Sequence, residues 1–70
     1  MIIFSDHAKA RLKQRHIPKQ FILEAMTQPD TKKAGSRNRQ LYRRRYGDKI
    51  LEVVTIREGT DTVIITQYWL

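Results

Sequence analysis

Gly47-Asp48, standing between Tyr46 and Lys49, constrains the second half of this chain more than any other feature. Glycine at the first central position suits a two-residue type II′ hairpin turn, where the backbone needs a positive φ that glycine adopts without steric cost. Such a turn pairs residues whose numbers sum to 95, the sum of its two turn positions, so Arg43 stands opposite Glu52 and Tyr42 opposite Val53. Glu58-Gly59-Thr60-Asp61 provides a second hairpin turn, followed by the β-branched run from Val63 to Tyr68. The prediction is an antiparallel meander of three strands, with apolar Ile2-Ile3-Phe4 as a fourth strand at one edge.

Unbroken alternation along these strands sorts the side chains onto two faces. One face receives Leu41, Arg43, Arg45, Glu52, Val54, Ile56, Val63, Ile65, Gln67 and Trp69. The other receives Tyr42, Arg44, Leu51, Val53, Thr55, Ile64, Thr66 and Tyr68. Both faces carry enough apolar residues to be buried, so alternation does not decide which one the helices cover. A second, partly apolar face is what a partner would cover.

Ahead of the meander the period changes from two to about 3.6. Ser5 is placed to cap a helix running from Asp6 to about Arg15, with Asp6 at the positive end of its dipole and Ala8 and Leu12 on its buried stripe. Pro18 separates it from a second helix over about Lys19 to Gln28, whose apolar face is Phe21, Ile22, Ala25 and Met26, and Pro29 closes it. Residues 29–38 read as a loop by composition. The expected fold is therefore α+β: a short N-terminal strand and two helices packed on a three- to four-stranded antiparallel sheet, in one domain over residues 1–70.

A domain of 70 residues without cysteine has no disulfide to supplement a small core, so a partner chain or a dimer contact is an energetic expectation. No apolar run approaches the roughly 20 residues needed to span a bilayer, and the N-terminus lacks a basic region followed by a long apolar one. No membrane association and a cytoplasmic location are expected. The formal charge of +7, from 14 Lys and Arg against 7 Asp and Glu, favours polyanionic partners. No nucleotide-binding loop, Ser-His-Asp set or paired carboxylates are present, and two histidines without a Cys or His-x-x-x-Glu pattern do not make a metal site, so neither metal nor other cofactor is expected.

The cations fall into three groups. His7, Arg11 and Arg15 recur at i, i+4 and i+8 and form one stripe beside the buried face of the first helix. Imidazole moves protons near neutral pH, and guanidinium holds a phosphate and stabilises charge developing on it, which are components of RNA transesterification. On spacing alone the stripe reads first as a helix surface, with His7 in the first turn and both arginines solvated or paired with carboxylates. The second group is the loop cations Lys32, Lys33 and Arg37. The third is the run Arg39-Gln40-Leu41-Tyr42-Arg43-Arg44-Arg45-Tyr46, in which Arg43 and Arg45 share a face while Arg44 joins Tyr42 and Tyr46. Aromatic rings can stack on unpaired bases while arginines track phosphates; the same run also reads as an edge strand blunted by charge. Thr66 and Tyr68, assigned to the face of Tyr42, form a fourth candidate group in which a phenol could position a base or assist proton transfer. His16 suits a place at the C-terminus of the first helix.

Ser5-Asp6-His7-Ala8-x-x-Arg11-x-x-x-Arg15-x-Ile17 resembles the S-x-H-A-x-x-R-x-x-x-R-x-I signature of a family of small bacterial and phage proteins without an assigned function. Val63-Ile64-Ile65-Thr66-Gln67-Tyr68 is similar to that family's closing hydrophobic-Thr-x-Tyr strand. The family usually carries Gly before the Ile, where this chain has His16; a glycine would ease the helix exit. The family is similar in layout to the RelE/ParE and BrnT toxin superfamily. The resemblance implies a metal-independent ribonuclease toxin acting on RNA, including ribosome-bound mRNA, and neutralised by a separately encoded antitoxin. It implies roles for His7, Arg11 and Arg15, with Thr66 and Tyr68 as their strand counterpart. In that reading His7, Arg11, Arg15 and Tyr68 are catalytic. Lys32, Lys33, Arg37, Arg39, Tyr42, Arg43, Arg44, Arg45 and Thr66 bind RNA. Two other classes fit the same residues: a basic module that binds nucleic acid without cutting it, and an interaction protein docking an acidic partner.

Overall fold

The computed structural model describes residues 1–70 and begins with strand β1 (Ile2–Phe4), followed by helices α1 (Asp6–Gln14) and α2 (Lys19–Thr27). Strands β2 (Thr31–Ala34), β3 (Gln40–Tyr46), β4 (Lys49–Glu58) and β5 (Asp61–Trp69) complete it. The fold is α+β, with one sheet in the order β1-β5-β4-β3-β2.

Local sequence explains both ends of α1. The Ser5 hydroxyl accepts from the Ala8 amide at 3.1 Å, satisfying one of the free N–H groups of the first turn. At the exit His16 takes a left-handed φ of 52°. The Ile17 amide reaches back to the Leu12 carbonyl at 3.1 Å and the His16 amide to that of Lys13 at 3.4 Å, a Schellman closure. His16 holds this left-handed backbone, which a glycine would adopt freely, at a steric cost. Pro18 stands at the N-cap of α2, whose buried residues are Ile22 and Ala25.

The hairpin between β3 and β4 has the predicted register, with Arg43 opposite Glu52 and Tyr42 opposite Val53, and Gly47 takes the positive φ its turn requires, 66°. Strand β1 lies at the edge beside β5 and runs parallel to it, so the sheet is mixed rather than wholly antiparallel. Residues 29–38 are not a loop throughout. Thr31–Ala34 pairs antiparallel with β3, setting Lys32 opposite Tyr42 and Lys33 opposite Leu41, so the sheet has five strands where three or four were expected. This strand is exposed along its whole length. An edge strand that buries nothing shows no apolar alternation, and its lysines are the charges that discourage further pairing. The turn joining it to β3 places Arg37 and Asn38 at φ of 57° and 63°.

The largest correction concerns β5. Thr55 pairs with Ile64 but Val54 pairs with Thr66, so Ile65 is an extra residue in a β-bulge. Beyond it the alternation is inverted. Gln67 and Trp69 join the face of Tyr42, Leu51, Val53 and Ile64, while Thr66 and Tyr68 join that of Leu41, Arg43, Glu52 and Val54, opposite to the prediction. The helices cover the Tyr42 face. Ala8, Ile17, Ile22 and Ala25 pack there against Tyr42, Leu51, Val53 and Ile64. Phe21, Tyr46 and Trp69 close one end, Phe21 stacked on Tyr46 at 4.2 Å and Trp69 edge-on to both. Gln67 is wholly buried and donates from Nε2 to the Ala8 carbonyl at 2.9 Å, tying α1 to β5.

Candidate functional site

The sheet face left uncovered by the helices carries a cleft of about 720 Å³. Leu41, Val54, Ile56 and Ile65 line it with apolar groups; Ser5 and His7 approach from α1, and Gly35, Ser36 and Arg39 from the β2–β3 turn. Thr66 and Tyr68 complete the lining, brought to this face by the bulge.

The bulge also sets the position of α1. The Ile64 carbonyl accepts from the Ser5 amide at 3.0 Å and the Ile65 carbonyl from the Ser5 hydroxyl at 3.4 Å. Ser5 therefore caps the helix and fastens its first turn to β5, which is what holds His7 at the cleft. His7 is exposed, and its Nε2 accepts from Arg11 Nε at 3.4 Å. Arg11 also donates to Gln14 at 2.5 Å. Arg15 is fastened from the strand side, donating to the Gln67 carbonyl at 2.6 Å, and its guanidinium stands 5.9 Å from the centre of the Tyr68 ring. Arg15 thus meets the closing strand at Tyr68, and His7 shares the cleft with it.

Glu52 was not among the sequence candidates. It is 4% exposed, and both its oxygens are engaged: Arg43 Nε donates to Oε1 at 2.7 Å and the Tyr68 hydroxyl donates to Oε2. Burial on its own would raise the Glu52 pKa, but the hydrogen bonds from Tyr68 and Arg43, with the charges of Arg43 and Lys33, outweigh it and hold the carboxyl below its usual range. The bond to Glu52, then burial, push the Tyr68 phenol up. The hairpin register had set Glu52 opposite Arg43; unbroken alternation put Tyr68 on the wrong face, so the triad was invisible until the bulge was located.

The remaining predicted residues divide. Arg39 lines the cleft, and Lys33, Arg43 and Arg45 lie on the cleft face by register. Arg37 is exposed at the tip of the β2–β3 turn. Lys32, Tyr42 and Arg44 are on the helix-covered face. Tyr42 is 8% exposed within the core, with the Lys32 ammonium 5.1 Å from its ring centre, so it is not a stacking platform for a base in this cleft. Arg44 donates to the Gln28 carbonyl beyond the end of α2 at 2.6 Å and lies over Tyr46. These three residues therefore stand apart from the cleft: the same alternation that brings Arg43 and Arg45 to the cleft face takes their neighbours away. Of the fourteen Lys and Arg side chains, Arg43 alone pairs with a carboxylate, leaving the positive charge largely uncompensated within the chain.

A second tyrosine–carboxylate contact, Tyr46 to Glu24 Oε1 at 2.7 Å, lies on the helix side. Burial and the Glu24 bond push Tyr46 up to about 12, while the hydrogen bonds from Tyr46 and Gln20 lower Glu24.

The family model described as a domain of unknown function (DUF4258) matches residues 4–69. The chain belongs to that family. The DUF4258 match runs from the end of β1 to the end of β5 and takes in every residue lining the cleft. No curated protein and no solved structure matches the chain. No helix is long and apolar enough to cross a membrane.

Proposed function

We propose that this protein is an RNA endonuclease, the toxin of a toxin–antitoxin pair, and cleaves by attack of a ribose 2′-OH on the adjacent phosphate. The observation that carries the reading is the convergence of His7 and Tyr68 on one apolar-lined cleft, with Arg11 and Arg15 behind them and Arg39 across it. The apolar lining suits an unstacked base, and single-stranded RNA is recognised through such splayed bases. In the reaction the 2′-O–H bond breaks as the 2′-O–P bond forms, and the 5′ oxygen leaves as the P–O5′ bond breaks. His7 Nε2, once released from its 3.4 Å bond with Arg11 Nε, takes the 2′ proton and gives it to the departing 5′ oxygen. Arginines at the cleft stabilise the extra charge on the pentacoordinate phosphate. Cytoplasmic action on mRNA and neutralisation by an antitoxin belong to the same reading.

The test is induced expression with RNA integrity and growth as readouts. RNA breakdown and growth arrest are expected from the native chain, and neither from His7→Ala or Arg11→Ala chains that keep the native circular dichroism. Undiminished toxicity in both variants overturns the assignment.

The uncompensated cations also support a binding-only reading, in which the cleft seats a base without chemistry. About six phosphate contacts would give a log–log salt slope near −4 on single strands, and that slope with no cleavage in an RNA digest would decide for it.

A further inference from the structure

We propose that Tyr68 reads the 2′-OH of the ligand as a hydrogen-bond donor, and that Glu52 is the positioning residue that makes it do so. The inference rests on the RNA reading above and assigns the group that distinguishes RNA from DNA in the cleft.

A phenol has one proton to donate and oxygen lone pairs with which to accept. The Tyr68 proton is already committed to Glu52 Oε2. The reverse direction is closed, because an ionised carboxylate has no proton to give, and Glu52 is kept ionised by Arg43 on its other oxygen. Towards the cleft, Tyr68 therefore offers lone pairs only. The ring is held as well: β5 fixes its backbone opposite Glu52, and Arg15, fastened to the Gln67 carbonyl, stands over its face. Tyr68 is half-buried and lines the cleft.

An acceptor-only group selects a ligand that brings a donor. Phosphate and ring oxygens, plentiful along a nucleic-acid backbone, cannot supply one. The 2′-OH can, and it is the group by which a protein tells RNA from DNA at a given position.

The experiment is equilibrium binding of three single-stranded oligonucleotides of one sequence: ribo-, deoxyribo- and 2′-fluoro, the last keeping an RNA-like sugar without the donor. It uses the His7→Ala chain, so that the ribo-oligonucleotide survives. The ribo-probe is expected to bind roughly threefold to tenfold tighter than the other two, the range of one hydrogen bond. Tyr68→Phe, which keeps the ring, should bring the three affinities together. Glu52→Gln, which keeps the shape but can donate to the phenol oxygen, should do the same with Tyr68 intact. Equal binding of all three probes, or of ribo- and 2′-fluoro-probes, overturns the 2′-OH inference while nucleic-acid binding stands. A ratio unchanged by Tyr68→Phe overturns the role of Tyr68, and one unchanged by Glu52→Gln overturns that of Glu52. No binding of any probe at low salt overturns the RNA reading itself, and this inference with it.

Discussion

Replacing Arg43 with alanine leaves Glu52 buried with one hydrogen bond and no adjacent counter-charge. Breaking a buried ion pair on one side costs about 3–5 kcal/mol when both groups are enclosed, because a charge is left uncompensated. Here Glu52 is enclosed but the Arg43 side chain is 34% exposed, so water already screens the pair. A loss of about 1.5–2 kcal/mol near neutral pH is the discounted figure. The pH dependence has a definite sign. A carboxyl whose folded-state pKa is depressed contributes stability that is present above its ordinary pKa and lost as pH falls through the folded value. Glu52 is such a group, since the bonds from Tyr68 and Arg43 outweigh its burial. Removing Arg43 shrinks that contribution, so the difference between native and Arg43→Ala chains is largest near pH 7 and narrows as Glu52 becomes protonated. Urea unfolding followed by fluorescence of the single tryptophan, Trp69, at pH 7 and in mild acid measures it. A deficit below about 0.5 kcal/mol at neutral pH, the scale of an ordinary surface pair, would refute the reasoning. So would a deficit of the same size at both pH values.

Three other perturbations test the fold that carries the site. Deleting Ile65 takes out the bulge residue and leaves Ile64 opposite Thr55 and Thr66 opposite Val54, each on its native face, so Gln67 and Trp69 stay in the core and the chain should keep a cooperative thermal transition; loss of that transition would contradict the bulge assignment. His16→Gly relieves a left-handed residue at the exit of α1 and should raise unfolding stability by roughly 1 kcal/mol; a fall in the urea midpoint would argue against the strain. Tyr46→Phe keeps the stack on Phe21 but loses the bonds to Glu24 and the Phe21 carbonyl, costing about 1 kcal/mol at neutral pH. Because the folded Tyr46 phenol is raised to about 12, that contribution is present below its ordinary pKa and lost as pH rises through the folded value. The variant's deficit should narrow in strong base, and its phenol absorbance should lack the late titration step.

The α1 cap, the two helices and the β3–β4 register were legible because each rests on a local rule. A hydroxyl caps free amides at Ser5, prolines bound α2, and Gly47-Asp48 counts the pairs outward from a turn. Strand β2 was not legible, since Thr31-Lys32-Lys33-Ala34 buries nothing and an exposed edge has no period to detect. Nor was the choice of buried face, because both faces of the sheet are apolar enough to be covered.

The candidate site divides along the same line. By itself the sequence determined that His7, Arg11 and Arg15 share a helix stripe, that Arg43 faces Glu52, and that the chain carries more cation than it can neutralise. Only the tertiary structure decided where Tyr68 goes. One extra residue at Ile65 reverses every side chain after it, exchanging Tyr68 and Thr66 with Gln67 and Trp69 across the sheet. The physical reason is that alternation is a rule of paired strands, and whether a residue is paired depends on the neighbouring strand, Val54-Thr55, as much as on the residue itself.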